Sequence, residues 1–385
     1  MKKILMYMLA VVSVALACVG ILTFMVYCEG EKPAIILNQD IVMIGQETAF
    51  NIAFVDNESG LRTIYVDISQ DGKKYILGSR DLPRRGVHKE ALTFNILPEK
   101  MKLHDGTATI GISVTDYSLR KNTTFREFEV VIDTVPPRIS PASFSNYINP
   151  GGSCVIAYIL SEDVFQSGVT VDDIFFPSYP ESITDGVRHI SYFAIPVDVS
   201  KNLKICILAE DYAGNSSLYP VSFHLRNKKF RNDRMDISQR FLEIKMSEFQ
   251  QRCKDLRAAT LLEAFSRINT QMRAQNLKTI ETICEKTQPE QLWKGNFLRM
   301  KNAATMAKFG DRRTYYYENR EISKSLHMGI DLASVRNAPV DASNRGLVVF
   351  AEHLGIYGNT VIIDHGMGVF SLYGHLSSIS VKKEQ

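Results

Sequence analysis

Near the end of this chain, a histidine and an aspartate have the types and spacing of metal ligands. In the string SKSLHMGIDLAS, residues 323–334, His327, Gly329 and Asp331 alternate with Met328, Ile330 and Leu332. Successive side chains of a strand point to opposite faces. An extended reading therefore puts an imidazole and a carboxylate on one face, with a glycine between them that has no side chain to obstruct them. One nitrogen and one oxygen donor presented together suit a borderline-soft divalent ion such as zinc. The same alternation in FSLYGHLS, residues 370–377, turns Ser371, Tyr373 and His375 one way and Phe370, Leu372 and Leu376 the other. A second polar face with a projecting histidine is thus available to meet the first across a groove. No HExxH string occurs, so a helical two-histidine site is not expected.

Several ordered segments surround these residues: FGDRRTYYY at 309–317, H-x-G-x-D at 327–331, PVDASNRGLVVFAE at 339–352, YGNTVIIDHG at 357–366 and YGHLS at 373–377. Together they resemble the LytM/lysostaphin-type zinc metallopeptidases, which cut peptide bonds in bacterial peptidoglycan. The resemblance implies zinc as cofactor, His327 and Asp331 as two metal ligands, and His375 as a catalytic histidine. It implies hydrolysis of peptidoglycan peptide cross-links, and it makes His365 a structural residue of a hairpin turn. His353 reads as surface or groove rim, and His88, His104, His189 and His224 are assigned no chemistry. The family completes its site with an H-x-H pair on a later strand, and no H-x-H occurs in these residues. The expectation is a C-terminally truncated peptidase domain, inactive or weak as this chain stands. The alternative is a non-catalytic scaffold that activates another cell-wall hydrolase.

The elements that must position this site read as mainly β. From Pro33 to Asp133, alternating runs such as TAFNIAFV, RTIYVDIS, TATIGISV and FREFEVVI are broken by Gly, Asp and Asn, the pattern of an antiparallel sandwich. Residues 138–226 repeat the scheme. Thr115-Asp116-Tyr117 is echoed by Glu210-Asp211-Tyr212, and Asp56…Ser59-Gly60-Leu61 by Asp163…Ser167-Gly168-Val169. With Asp211-Tyr-Ala-Gly-Asn215, these units resemble tandem bacterial immunoglobulin-like domains, expected to act as a stalk. Cys154 and Cys206 form either an inter-sheet disulfide or two buried thiols. Residues 227–303 read as a helical connector. Phe241, Ile244, Phe249, Cys253 and Leu256 mark its apolar face, and Thr260…Glu263 and Thr287…Glu290 have the spacing of capping boxes. Cys253 and Cys284 are a further candidate pair. The expected divisions are 1–28, 33–136, 137–226, 227–303 and an incomplete antiparallel peptidase sheet over 304–385.

The N-terminus bears on the compartment. Lys2 and Lys3 precede an uncharged run from Ile4 to Tyr27, the length of a membrane-spanning helix. An uncleaved, single-pass signal-anchor is expected in preference to a removed signal peptide, with the chain after Cys28 outside the cytoplasmic membrane. Among 385 residues, 45 Lys and Arg oppose 42 Asp and Glu, for a formal charge of +3. So weak and dispersed a balance argues against nucleic acid as a partner.

Overall fold

The computed structural model describes residues 2–27, 30–142, 146–184, 186–200, 202–257 and 260–385. Strand accounts for 44% of the chain and helix for 17%, so the fold is mainly β. Lys2–Tyr27 forms one 26-residue helix, α1. Its side chains are described without a break only from Ala10 to Ile21. Among the described residues no helix is long and apolar enough to cross a membrane. The membrane span expected over Ile4–Tyr27 is therefore not supported by the structure. The expected boundary at Cys28 lies outside the described residues.

Two compact units divide the chain. The first comprises 1–138 with 162–165 and 209–217, and the second holds the remainder. In the first, a three-stranded sheet (Ala34–Leu37, Thr48–Val55, Lys89–Ile96) and a five-stranded sheet that includes Leu61–Gln70 and Gly106–Asp116 share one core. The alternation read from sequence explains it. Phe50, Ile52 and Phe54 come from one sheet, and Ile64, Val66, Ile68, Ile110, Ile112 and Val114 from the other, all fully or nearly fully buried. The excursions 162–165 and 209–217 join this unit through specific bonds. Asn215 Oδ1 accepts from the Gln46 backbone at 2.7 Å, and its Nδ2 donates to the Asp133 carbonyl at 2.8 Å. Gly45 lies where a Cβ would be 2.3 Å from the Ala213 carbonyl oxygen, so a larger residue there would push the loop off.

In the second unit, Ile148, Ile156, Tyr158, Val169, Val171, Phe193, Ile205 and Ile207 form another core. Cys154 and Cys206 are both free, the second of the two alternatives left open, and Cys253 and Cys284 are free as well.

The connector forms α2 (Gln239–Arg252), α3 (Leu261–Arg267) and α4 (Arg273–Cys284), with a π-helical segment, Ile268–Met272, joining the last two. The apolar face of α2 differs from expectation. Leu242 and Met246 are its buried residues, with Phe249 and Cys253 packed beside them, while Phe241 and Ile244 stay exposed. The spacing 242, 246, 249, 253 follows one stripe of a 3.6-residue helix, and 241 and 244 lie to its sides. The Thr260–Glu263 capping box forms in full. No helix starts at Thr287. Its hydroxyl donates to Asp364 Oδ1 at 2.7 Å instead, and the Gln288 N–H to Oδ2 at 2.7 Å. A long-range carboxylate has replaced the local cap.

The C-terminal strands are β1 (Arg312–Tyr317), β2 (Arg320–Leu326), β3 (Asp331–Ala333), β4 (Leu347–His353), β5 (Asn359–Asp364) and β6 (Phe370–Leu376). They do not form the single antiparallel sheet expected. β1 pairs antiparallel with β2 and parallel with Asn232–Asp236, β3 pairs with Ala304–Ala307, and β4–β5–β6 form a separate meander. The H-x-G-x-D string thus bridges two sheets rather than lying inside one.

Candidate metal centre

The local geometry at 327–331 corrects the strand reading. β2 ends at Leu326 and β3 begins at Asp331, with a break between them. In an extended strand, residues four apart are separated by about 13 Å, too far to share an ion. The break at Gly329, where no atom stands within 4 Å of a Cβ position, folds the chain back instead. His327 Nε2 thereby comes within 3.0 Å of Asp331 Oδ1. The alternation correctly grouped the two residues, but a turn joins them.

Their neighbours complete the arrangement. His327 Nδ1 lies 2.9 Å from the Lys308 carbonyl oxygen. The Gly310 N–H donates to the His327 carbonyl at 2.8 Å, and the His327 N–H to the Asp311 carbonyl at 2.9 Å. The Arg313 guanidinium donates to Asp331 Oδ2 at 3.1 Å, leaving Oδ1 to face the imidazole. Both ring nitrogens of His327 therefore face acceptors. A neutral imidazole has one N–H and satisfies only one of them. A proton on both nitrogens makes the contact a His–Asp ion pair, and with Nδ1–H alone on the carbonyl the Nε2 lone pair and the carboxylate oxygen are together donors for a cation. Zinc makes bonds of roughly 2 Å to such nitrogen and oxygen donors, so one ion can touch atoms 3.0 Å apart. The pair fits zinc, and the carbonyl that orients the imidazole is the outer contact such ligands use.

His375 is exposed and has φ 58°. The register between β5 and β6 shifts from Asn359–Leu376 to Val361–Tyr373, so Gly374 and His375 form an extra bulge that re-aims the side chain. Ser371 and Tyr373 share a face as expected, their hydroxyls 2.9 Å apart. Among the described residues, no third His, Cys, Asp or Glu, His375 included, joins His327 and Asp331 with ligand atoms mutually within 4.8 Å.

Two other histidines of the C-terminal segment have local partners. His365 is fully buried, with Nδ1 2.6 Å from the Arg345 carbonyl and Nε2 2.7 Å from Ser371 Oγ. His353 is exposed and lies 3.1 Å from Arg252. A group of three acidic residues, Asp133, Glu162 and Asp211, occurs in the first unit. There the Asp211 carboxylate already accepts from the Ala213 and Asn215 N–H groups and from Asn215 Nδ2.

Sequence reasoning overlooked Lys308 and Arg313. Lys308 contributes a main-chain oxygen, which no residue type announces. Arg313 stands within the quoted string FGDRRTYYY, and alternation along β1 would have separated it from Arg312.

An imidazole and a carboxylate thus meet at the edge of a small β domain as a candidate pair of metal ligands. Residues 325–385 match the sequence profile of Peptidase family M23, and this segment is a Peptidase M23 (LytM-type) domain. The DD-carboxypeptidase/endopeptidase Mpg of Neisseria meningitidis serogroup B is 49% identical over 55 residues, 14% of this chain and 13% of the relative. Mpg of Neisseria gonorrhoeae gives the same figures, 49% over 55 residues. The chain thus spans only 13% of the length of these curated relatives. A solved structure, the Bacteroides ovatus mixed-linkage glucan utilization locus protein SGBP-B with a heptasaccharide, is 16% identical over 54% of this chain and 51% of that one. Its TM-score is 0.18.

Proposed function

We propose that this protein is a peptidoglycan endopeptidase of the zinc metallopeptidase class, with its hydrolytic face at residues 304–385. One observation carries the reading: His327 Nε2 and Asp331 Oδ1 stand 3.0 Å apart inside the segment that matches Peptidase family M23. His327 and Asp331 would hold zinc, which supplies Lewis acidity toward a peptide carbonyl. The Lys308 carbonyl keeps the proton of His327 on Nδ1, and Arg313 holds Asp331 to one free oxygen. His375, raised on its bulge and open to solvent, is the group available to pass a proton to the departing amine. Cell-wall peptides lie outside the cytoplasmic membrane, so the catalytic part is proposed to lie there too. Lys2, Lys3 and the apolar run that follows them support a membrane tether.

A catalytic zinc ordinarily has three protein ligands. With two assembled here, this chain should hold the ion weakly and turn over slowly. The test is zinc titration of the purified chain with a muropeptide cleavage assay. Wild type should bind zinc and cleave measurably, and His327→Ala and Asp331→Ala should each weaken zinc binding about 100-fold and abolish cleavage. Unchanged zinc affinity in both variants would overturn the metal site. Among the described residues no third donor joins the pair, which favours one other reading, a scaffold that activates a separate hydrolase. That reading predicts stimulation of a second hydrolase that survives removal of zinc.

A further inference from the structure

A cavity of about 690 Å³ lies in the second unit and is bordered by Pro150, 197–199, 225–230, Asn232 and Arg312. Its volume is that of a small-ligand site. Four cationic side chains line it, Arg226, Lys228, Lys229 and Arg312, against one carboxylate, Asp198. The whole chain carries only +3, so the positive charge here is a local concentration.

Two of these cations are held by groups that do not neutralise them. The Lys228 ammonium sits over the Phe230 ring at 4.8 Å and 3.5 Å from the Pro150 carbonyl. The Arg226 guanidinium lies over Tyr147 at 5.4 Å. Aromatic faces and carbonyls attract a cation without cancelling its charge, so the groove stays positive. Arg312 alone pairs with Asp198. Phe230 is itself fixed, since a Cβ on Gly310 would come within 2.2 Å of its ring and one on Gly151 within 3.4 Å. Between the cations stand the aliphatic Val197, Val199 and Leu225.

This groove and the metal pair share one strand. Arg312 and Arg313 are consecutive in β1 and point to opposite sides, Arg312 to Asp198 and Arg313 to Asp331. The Phe309–Gly310 segment that packs against Phe230 and Gly151 also carries the Gly310 N–H bonded to the His327 carbonyl.

We infer that the groove is a second binding site for a peptide bearing free carboxylates, the stem peptide of the cell-wall polymer. The cations match its carboxylates and the aliphatic wall its small side chains. The ligand's identity rests on the peptidoglycan-peptidase reading above, while the groove's charge does not.

The test is calorimetric binding of a synthetic stem pentapeptide, and of its fully amidated twin, to the full chain. The free acid should bind wild type and His327→Ala equally. The twin should bind at least about tenfold more weakly, as should the free acid to a Lys228→Glu/Lys229→Glu variant, several screened charge contacts being lost or reversed. A Lys228→Arg/Lys229→Arg variant, which keeps the charge, should bind like wild type. Equal binding of acid and amide, or no loss on charge reversal, overturns the inference. So does binding of polyphosphate in place of the peptide. Charge-dependent binding without any zinc-dependent cleavage removes the peptidase reading and leaves the groove. Cleavage without charge-dependent binding removes the groove and leaves the peptidase.

Discussion

Asp331 divides its carboxylate between two neighbours, with Arg313 on one oxygen and His327 beside the other. That division leaves one oxygen free for the ion proposed to bind there. Residue types and the ordered segments around them pointed to His327 and Asp331 as a candidate pair, and the structure places the two side chains together. They could not reveal the geometry, since the same five residues drawn as a strand would leave the donors about 13 Å apart. A different residue gives a pH signature. Cys284 is partly buried, and this burial, reinforced by the negative charge of Asp364, pushes its thiol up to about 11. The thiolate is the reactive form, so alkylation should stay slow at pH 8 and rise steeply only as pH approaches 11. Mass-spectrometric labelling at Cys284 across pH 7–11 checks this. Half-maximal labelling near pH 8.5 would contradict it.

At the scale of elements, the helices hold the site strands by hydrogen bonds from buried amides. The π-helical segment between α3 and α4 turns Asn269 inward, where its Nδ2 donates to Ser323 Oγ at 2.6 Å, and Arg273 donates to its Oδ1 at 2.8 Å. Asn276, about two turns further on, accepts from the Ile356 N–H at 2.9 Å. A π-turn shifts register by one residue, which periodicity analysis of sequence does not detect. The capping box was detectable because it is wholly local. Thr260 Oγ1 accepts from the Glu263 N–H at 3.2 Å, and the Glu263 carboxylate from the Thr260 N–H at 2.9 Å. Thr260→Ala should cost the α3 start about 1 kcal/mol, read as about fivefold faster hydrogen exchange over 261–267. Thr287 had the same spacing and failed because Asp364, buried and aimed at it, offered a charged acceptor.

For the molecule as a whole, the mainly β character was legible from alternation. The grouping of residues into units was not, because it depends on loops that return from the second segment. Each unit has its own core, which separates stability from site chemistry. Ile112 is fully buried in the first core, and Ile112→Ala should destabilise that unit by about 2–5 kcal/mol. In a thermal melt the transition of that unit should move to lower temperature while zinc titration at 25 °C keeps its wild-type midpoint. A shifted zinc affinity would show that the two cores are coupled. The first unit also reclaims 162–165 and 209–217 from far along the chain, with Asn215 tied to Gln46 and Asp133. A deletion series that shortens the protein from its C-terminus would therefore strip the covering from Gly45 and Gln46 well before reaching the first repeat. Fragments ending near residue 138 should aggregate, whereas those reaching past residue 217 should stay soluble.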